Sequence, residues 1–514
     1  MSETPTALVV GASRGIGKAL LSQLTQSGYD TYGTIRTSPS SQSNLFQADL
    51  TNASSLSDAA EQFKKTRGGE EGSLDLLIVS GATAGDEPYL TLSPDRLMEY
   101  YDINVAGPLR AIHAFLPALR KSKGKTIVLI SSLASNAGIR AKNALTMPKE
   151  DRLPISTGPY GSSKAALNCL AIGLYTELED EGFKIIVVHP GLVNTDMAQN
   201  MIKRLEEKFG EGGGPLKVLE VEESVSGIVD VVKKEAGKKD GKAVLSPLNF
   251  LLLSSSSPAR FSLHQRAMSQ PKALVIGASR GIGQSLVKKL LNEGYDTFST
   301  LRSEPTNDHT FLVDLDDPDG ASVHQAASDF TKEEGALDLL ILNAAICGVA
   351  PYTELSQDVH RAFFQTNVIG PLSAVQAFLP ALRKGKEKVI VFITSLLGST
   401  SVCLDVARQP AEKRFPISKG PYPSTKAALN QLGIGLWTEL GDEGFSVLII
   451  HPGLVKTDMG APFIKALESF PDSGIEAITV EESVDAVVGT IRSHIAAGVP
   501  DVRILNYDGS DLPL

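Results

Sequence analysis

Short apolar runs alternate with longer amphipathic stretches along the whole chain of 514 residues. The runs "ALVV", "DTYGTI", "DLLIVS", "KTIVLIS" and "KIIVVHP" are aliphatic on both faces, which is typical of strands buried between layers of helices. Helical patterns lie between them, such as Ser93 to Arg120, with Ser93 as N-cap and Pro94 in the first turn, and Tyr160 to Glu181, ended by Gly182. This alternation predicts an α/β fold with a doubly wound parallel sheet and right-handed crossovers.

The two halves of the chain repeat the same sequence pattern. Residues 7–36 and 273–302 are identical at 18 of 30 positions without a gap, and "HPGLVNTDM" returns later as "HPGLVKTDM". Because the period is about half the chain, each unit is predicted to be a complete domain rather than one layer of a solenoid. We expect domains over 1–250 and 271–514, joined by a serine-rich flexible linker at 251–270.

Composition narrows the class of protein. With 42% hydrophobic and 21% charged residues the chain is typical of globular proteins, and its net charge of −10 argues against nucleic acid as a partner. The three cysteines, Cys169, Cys347 and Cys403, have neither metal-ligand nor disulfide-framework spacing, so we expect no metal and a reducing compartment. The first residues are polar and no apolar run approaches the length of a bilayer, which favours a cytoplasmic protein without a membrane partner.

A glycine turn follows the first strand of each copy, with the spacing GxxxGxG. Glycines there allow a tight backbone path and the close approach of an anion, and the helix that follows offers free N–H groups to a pyrophosphate. The turn therefore predicts a dinucleotide site on a Rossmann fold in each half. Its residues are Gly11, Gly15, Ile16 and Gly17 in the first copy, and Gly277, Gly281, Ile282 and Gly283 in the second.

Charge favours NADP(H) as the dinucleotide. The second strand of each copy ends without the acidic residue that binds the ribose hydroxyls in NAD sites. Arginines stand there and in the glycine turn, and their planar guanidinium groups suit forked contacts with a 2′-phosphate. The alternative is that these arginines are ordinary solvated surface residues. They are Arg14, Arg36, Arg280 and Arg302.

Each copy also carries a tyrosine four residues before a lysine, Tyr160 with Lys164 in "YGSSK" and Tyr422 with Lys426 in "YPSTK". On a helix this spacing places both side chains on one face. A nearby ammonium stabilises phenolate, so we expect the tyrosine pKa to fall toward the working pH. Pro423 directly follows Tyr422, which requires that tyrosine to lie in the first turn of its helix.

With the strand-end serines of "LISSLAS" and "FITSLLGS", a mid-helix asparagine and the later "HPG", these motifs resemble the short-chain dehydrogenase/reductase family over nearly all of both halves. The pattern looks closest to the carbonyl reductases of the sniffer and C-signal type. The resemblance implies that the serines hold the substrate oxygen, the tyrosines exchange the proton, the lysines bind the nicotinamide ribose and the asparagines maintain a water-linked proton relay. The catalytic residues that it implies are Asn104, Ser132, Tyr160, Lys164, Asn367, Ser395, Tyr422 and Lys426.

The same resemblance implies further cofactor contacts, besides those of the catalytic asparagines, tyrosines and lysines. Aspartates in "ADL" and "VDL" meet the adenine, and threonines after "PGLV" lie near the carboxamide. These residues, with the valines that precede the threonines, are Asp49, Val193, Thr195, Asp314, Val455 and Thr457. Ser131 is an alternative to its neighbour Ser132 as the group that binds the substrate oxygen.

Two departures from the family pattern stand out. Ser80 replaces the asparagine that the second half keeps as Asn343, so we expect a weaker grip on the cofactor in the first half. The interval between the catalytic serine and tyrosine is about twice the common one. We expect the intervening insert, residues 135–159 and its counterpart, to form a wall or lid over the substrate.

The leading hypothesis is an NADP(H)-dependent carbonyl reductase or alcohol dehydrogenase that acts on a small molecule, with one complete site in each half. The alternatives are a non-catalytic protein that senses the dinucleotide or signals, and an enzyme in which only the second half is active. Since family members pair through the helices that bear these motifs, we expect the halves to form an internal pseudo-dimer. Met268 also allows another explanation of the repeat, two neighbouring genes joined in a gene model.

Overall fold

The structure is a computed structural model, and the residues it describes fall into several ranges. These are 4–38, 44–68, 72–146, 158–210, 214, 216–236, 244–246, 270–303, 305, 307–348, 350–410, 414, 420–470 and 474–513. The predicted linker at 251–270 lies outside the described residues except for Gln270.

In the first half, short buried strands alternate with helices. The strands are β1 (Thr6–Val10), β2 (Asp30–Ile35), β3 (Leu45–Gln47), β4 (Leu76–Val79), β5 (Thr126–Ile130), β6 (Lys184–Val188), β7 (Leu192–Val193), β8 (Val218–Leu219) and β9 (Val244–Ser246). The helices are α1 (Gly15–Gln26), α2 (Ala53–Thr66), α3 (Pro94–Tyr101), α4 (Gly107–Lys121), α5 (Ala137–Thr146), α6 (Gly158–Leu178), α7 (Gln199–Phe209) and α8 (Val221–Ala236).

The second half repeats this order. Its strands are β10 (Lys272–Ile276), β11 (Asp296–Leu301), β12 (Thr310–Leu312), β13 (Leu339–Leu342), β14 (Val389–Ile393), β15 (Ser446–His451), β16 (Leu454–Val455), β17 (Ala477–Ile478) and β18 (Val502–Asn506). Its helices are α9 (Gly281–Asn292), α10 (Ala321–Glu333), α11 (Gln357–Phe364), α12 (Gly370–Lys384), α13 (Thr400–Ala407), α14 (Tyr422–Leu440), α15 (Ala461–Leu467) and α16 (Val480–Ala497).

Each half forms one seven-stranded parallel sheet. The strand orders are β3-β2-β1-β4-β5-β6-β9 and β12-β11-β10-β13-β14-β15-β18. The chain reverses its direction of travel across the sheet between β3 and β4, and again at the equivalent point of the second half. This is the doubly wound Rossmann-type fold that the sequence predicts, and it occurs in tandem. Ligands of such sheets bind outside the carboxyl ends of the strands, at this reversal.

The segment from Ser93 to Arg120 departs from its prediction as one helix. Ser93 caps α3 as expected, since its hydroxyl accepts a hydrogen bond from the Arg96 N–H at 3.2 Å. Between α3 and α4, however, Asp102–Ala106 forms a π-helical turn, and Gln365–Ile369 does the same in the second half. Such wide turns accommodate an extra residue, and apolar periodicity alone does not reveal them.

The two halves pack directly against each other through α6 and α14. The Ser162 hydroxyl donates to the Ala428 carbonyl at 2.9 Å, and the Ser424 hydroxyl donates to the Ala166 carbonyl at the same distance. These reciprocal bonds join the two helices that carry the Tyr-x-x-x-Lys motifs. This is the contact that an internal pseudo-dimer requires.

Candidate active sites

The tyrosine and lysine of each motif lie on one face of their helix, as predicted. Lys164 Nζ is 5.7 Å from the centre of the Tyr160 ring, and Lys426 Nζ is 5.7 Å from the centre of the Tyr422 ring. Helix α14 begins at Tyr422, with Pro423 in its first turn. The proline therefore removes no helical hydrogen bond, which confirms the expected position of this tyrosine.

Both lysines are fixed by the ends of neighbouring strands. Lys164 Nζ donates to the Ile130 carbonyl oxygen at 2.9 Å, and Lys426 Nζ donates to the Ile393 carbonyl oxygen at 2.8 Å. Their burial disfavours the charged form and lowers the pKa of Lys164 to about 7 and that of Lys426 to about 8. Each lysine can therefore gain or lose its proton near neutral pH.

The expected fall of the tyrosine pKa is wrong for this arrangement. Burial raises the pKa of Tyr160 to about 12, and a hydrogen bond with Ser132 opposes this only in part. The pKa of Tyr422 is raised still further by burial, with a smaller contribution from Cys347. The sequence argument considered only the stabilising charge of the lysine, whereas desolvation of the phenol dominates here. Both phenols consequently remain protonated at neutral pH and can act as proton donors.

The structure distinguishes between the two adjacent serines of the first half. The Ser131 hydroxyl donates to Asn168 Oδ1 at 2.6 Å, so it is occupied within the fold. Ser132 is the serine that interacts with Tyr160. The second half repeats the arrangement, with Thr394 donating to Asn430 Oδ1 at 2.5 Å and Ser395 interacting with Tyr422.

The predicted asparagines lie in the π-helical turns. Asn104 Oδ1 accepts from the Thr83 N–H at 2.8 Å, while its Nδ2 donates to the Thr83 carbonyl and to Ser163 Oγ, both at 2.9 Å. The Ser163 hydroxyl in turn donates to the Tyr160 carbonyl at 2.8 Å. Asn367 makes the equivalent bonds with Ile346 and Thr425. Each asparagine thus links the loop after a central strand to the N-terminal part of the tyrosine helix. A role in a proton relay stays a prediction.

The glycine turns have the backbone that the sequence predicts. Gly11 and Gly15 lie in the left-handed region, with φ of 89° and 52°. A Cβ on Gly17 would stand 2.1 Å from the Gly11 carbonyl oxygen, so no larger residue fits. Arg14 precedes α1 without a side-chain cap, which leaves the first N–H groups of that helix available. The turn therefore fits a dinucleotide pyrophosphate.

The second glycine turn follows the same design. Gly277 and Gly281 have φ of 86° and 55°, and a Cβ on Gly283 would stand 2.1 Å from the Gly277 carbonyl oxygen. Ile16 and Ile282 each follow the first residue of a helix, α1 or α9.

The threonines after "PGLV" contact the glycine turns. The Thr195 methyl group lies 3.4 Å from an ideal Cβ built on Gly15, and the Thr457 methyl group lies 3.5 Å from one built on Gly281. Val193 and Val455 are buried in β7 and β16 just before these threonines. Sequence positions far apart are thus brought next to one another beside each glycine turn.

The predicted phosphate-binding arginines are exposed, and three of them have acidic partners. Arg14 pairs with Asp196 at 3.0 Å and Arg280 pairs with Asp458 at 2.9 Å. Arg302 lies 4.0 Å from Asp316, and Arg36 is exposed after β2. Sequence reasoning missed these aspartates, although two of them occupy the repeated "TDM".

Asp49 and Asp314 stand where β3 and β12 end, at the carboxyl edge of each sheet. Asp49 Oδ1 accepts from the Thr51 N–H at 2.9 Å, and Asp314 Oδ1 accepts from the Asp316 N–H at 3.0 Å. Their carboxylates thus hold the following turns in place. Contact with an adenine stays a prediction.

The two sites differ at the loop after the fourth strand of each sheet. Asn343 Nδ2 donates to the Gly277 carbonyl at 2.7 Å and so braces the second glycine turn, whereas the first half has the shorter Ser80. Cys347, where the first half has Ala84, lies close enough to Tyr422 and Lys426 to interact with their charges. Burial raises the pKa of its thiol to about 11. The sequence carried no signal for this proximity.

The insert is described only in part. Helix α5 belongs to it and packs against α14 of the other half, and its counterpart α13 packs against α6. These helices therefore build the contact between the halves. The rest of the predicted wall or lid, at 147–157, lies outside the described residues.

Among the helices of the described ranges, none is long and apolar enough to cross a bilayer.

Comparison with known proteins matches both halves to one family. The profile of the family described as short chain dehydrogenase matches residues 5–206 and again 271–467. An uncharacterised oxidoreductase of Schizosaccharomyces pombe is 32% identical over 256 residues, which are 46% of this chain and 96% of the relative. Among solved structures, the carbonyl reductase Sniffer of D. melanogaster is 25% identical and covers 48% of this chain and 100% of its own, with a TM-score of 0.38.

One solved structure covers both halves together. The N-domain of a bacterial malonyl-CoA reductase, determined with NADP, covers 92% of this chain and 97% of its own, with a TM-score of 0.60. At 14% identity this likeness shows the fold alone. The tandem arrangement therefore exists in another protein.

Proposed function

Since the chain belongs to the short-chain dehydrogenase family and is an oxidoreductase, we propose that each half reduces a small carbonyl compound to an alcohol with NADPH. A nicotinamide dinucleotide is typical of the family. One observation carries the proposal. In each half, a protonated tyrosine interacts with a serine, and the Nζ of a buried lysine lies over the tyrosine ring.

Each residue of the site would have its own role in the reduction. The glycine turn and the start of α1 would hold the pyrophosphate, and Arg14 and Arg36 would bind the 2′-phosphate. Ser132 would hold the carbonyl oxygen by a hydrogen bond, and the Tyr160 phenol would give that oxygen its proton. The bound cofactor would supply the hydride that the carbonyl carbon gains. Lys164 would bind the ribose and supply positive charge as the phenolate forms.

The high pKa of Tyr160 supports reduction as the favoured direction. A phenol with a pKa of about 12 is protonated at neutral pH and is ready to donate, whereas alcohol oxidation needs the phenolate. We therefore propose that the reverse reaction, oxidation of the alcohol, proceeds only at high pH.

The test is the double variant Tyr160→Phe/Tyr422→Phe. Loss of the proton donor lowers turnover by about 100-fold or more, while NADPH binding, followed by fluorescence, persists because the glycine turns are unchanged. A substrate for this test is found by screening aldehydes, ketones and quinones, with the absorbance of NADPH as the measure of turnover. Unchanged turnover in the double variant contradicts the proposal. NADPH binding without turnover by the wild-type protein on any substrate would favour the sensing alternative.

A second candidate is that only the second half catalyses. The bond from Asn343 to the Gly277 carbonyl favours it, because Ser80 cannot brace the first turn in the same way. The single variants decide between the two. Full activity of Tyr160→Phe together with inactive Tyr422→Phe would make the first half structural, whereas partial losses in both single variants would show two active sites.

We also propose that domains at 1–250 and 271–514, with a linker between them, work as an internal pseudo-dimer in the cytoplasm. The reciprocal bonds between α6 and α14 support this arrangement. Intact mass of the native protein tests whether the tandem chain is one polypeptide.

A further inference from the structure

The contact between the halves contains matched pairs of equivalent bonds. Glu439 of α14 accepts hydrogen bonds from the Tyr89 and Leu90 N–H groups at 2.7 and 3.0 Å. Glu177 of α6 accepts from the Tyr352 and Thr353 N–H groups at 2.8 and 3.0 Å. Because both halves supply the same groups, these bonds would also form between two identical halves. They do not determine which halves pair.

Two pairs of aligned positions break this symmetry. The segments "LNCLAIGLYTELEDEG" and "LNQLGIGLWTELGDEG" align Cys169 with Gln431, and "ISSLASNAGIR" and "ITSLLGSTSVC" align Arg140 with Cys403. On one side of the interface, the Arg140 guanidinium donates to Gln431 Oε1 at 2.6 Å. On the equivalent side, the buried thiols of Cys169 and Cys403 interact with each other.

The arginine and glutamine are firmly held. Gln431 is fully buried, and its Nε2 donates to the Ser135 carbonyl at 2.7 Å. Desolvation lowers the pKa of Arg140, although Glu439 and Tyr89 lie near enough to oppose this. On the equivalent side, Tyr352 interacts with Glu177 and with both thiols. Both sides thus keep an equivalent glutamate and tyrosine, whereas the arginine and glutamine of one side are cysteines on the other.

A second contact is also one-sided. The guanidinium of Arg414 in the second half pairs with Glu179, the residue that follows α6, and Arg414 Nη2 lies 3.0 Å from Glu179 Oε2. Their side chains are only 12% and 17% exposed. The residue aligned with Glu179 in the second half is Gly441, which offers no carboxylate.

From the Arg140–Gln431 contact we propose that the first half pairs selectively with a second half and excludes a copy of itself. The Arg414–Glu179 contact acts only against the pairing of two second halves. Two first halves would place Arg140 opposite Cys169 on both sides, and neither guanidinium would find the amide oxygen it uses here. Two second halves would place Arg414 opposite Gly441 and leave two nearly buried guanidinium groups without their carboxylate. Buried polar groups that lose a partner are costly, so both like pairings are penalised. The preferred partner surface is therefore the other half, in the same chain or in a second copy.

Substitutions in the full chain test the first contact. Cys403→Arg with Gln431→Cys places an arginine opposite a cysteine on both sides, as two first halves would. Arg140→Cys with Cys169→Gln places a cysteine opposite a glutamine on both sides, as two second halves would. We expect each double variant to melt several degrees below the wild-type protein, the first more than the second. All four substitutions together move the arginine–glutamine contact to the other side of the interface. That variant should recover at least half of the lost melting temperature.

Melting is measured in reductant, so that thiol chemistry does not contribute. Double variants as stable as the wild-type protein, or a fourfold variant no more stable than the doubles, would overturn the proposal. These variants leave the tyrosines and glycine turns untouched, so failure here is distinguishable from failure of the proposed activity.

Partner choice itself is tested by cutting the folded full chain. A protease site is placed within 251–270, the protein is cleaved, and the mixture is incubated and examined by native mass spectrometry. Selective pairing gives only complexes of one first half with one second half. Equal surfaces would instead give a statistical mixture that includes both homodimers, and that result would overturn the proposal.

Discussion

Arg14 of the first glycine turn donates a hydrogen bond to Asp196 at 3.0 Å, and these residues are 182 positions apart in the chain. Arg280 and Asp458 repeat the pair at 2.9 Å in the second half. Each pair joins the turn that would hold the pyrophosphate to the loop after "PGLV", which both copies contain. The carboxylate therefore competes with a 2′-phosphate for the charge of the same arginine.

We therefore predict that Asp196→Asn with Asp458→Asn tightens NADPH binding. The pairs are exposed, with side-chain exposures of 67% and 77% in the first half, so the gain is modest. An exposed pair is worth at most about 1 kcal/mol, which corresponds to about fivefold in Kd. NADH binding should not change. Fluorescence titration measures both, and the exposed Asp58→Asn serves as control. Weaker NADPH binding would show instead that the aspartates orient the arginines.

The glycine turns give a sharper steric prediction. Gly17→Ala with Gly283→Ala places a methyl group 2.1 Å from a backbone carbonyl oxygen in each half. We expect loss of dinucleotide binding and a stability loss of about 1–3 kcal/mol, because the backbone must shift. Calorimetry and NADPH titration measure these effects.

Gly227→Ala is the matched control. This glycine is exposed on α8, and nothing lies within 4 Å of its ideal Cβ. Here alanine should stabilise the protein by about 0.5–1 kcal/mol through helix propensity. Equal effects of the two kinds of substitution would contradict the steric explanation.

The interface gives a third prediction, from the close approach of Tyr89 to α14. An ideal Cβ on Gly435 would stand 2.4 Å from the Tyr89 ring. Gly435→Ala should destabilise the protein by about 1–3 kcal/mol through overpacking. In the background of Tyr89→Leu the same substitution should cost far less, because the ring is gone. Thermal unfolding of the four members of this double-mutant cycle measures the coupling. Additive effects would show that the ring and the glycine are not in contact.

The buried lysines predict a dependence of stability on pH. Burial lowers the pKa of Lys164 from 10.5 to about 7 and that of Lys426 to about 8. Between pH 8 and about 10 the unfolded chain therefore binds more protons at these lysines than the folded protein does. The stability contributed by each lysine rises with pH in this window, by at most about 1.4 kcal/mol per pH unit.

Unfolding of the protein without cofactor, followed at pH 8.0 and 9.5, measures this rise. Lys164→Met with Lys426→Met should flatten it, since methionine is apolar and carries no proton. The exposed Lys18→Met is the control and should leave the slope unchanged. A slope that survives in the double variant would assign the pH dependence to other groups.

The site could be predicted from the sequence where its signal is local. Pro423 after Tyr422 defined the start of α14, and the glycine spacing defined the path of each turn, because backbone angles depend on immediate neighbours. Ser132 and Ser131 could not be distinguished in this way. Only the position of Asn168 on α6 shows which serine is already occupied.

The sequence by itself thus determined the doubly wound fold and its duplication, since the fold follows from short-range periodicity and the duplication from the internal repeat. The tertiary structure alone decided the tyrosine and lysine pKa values, because they depend on burial. It also decided the π-helical turn around Asn104 and the use of α5 against the other half. Those features arise from packing between segments distant in the chain, and the pairing of Arg140 with Gln431 has no signal in either segment alone.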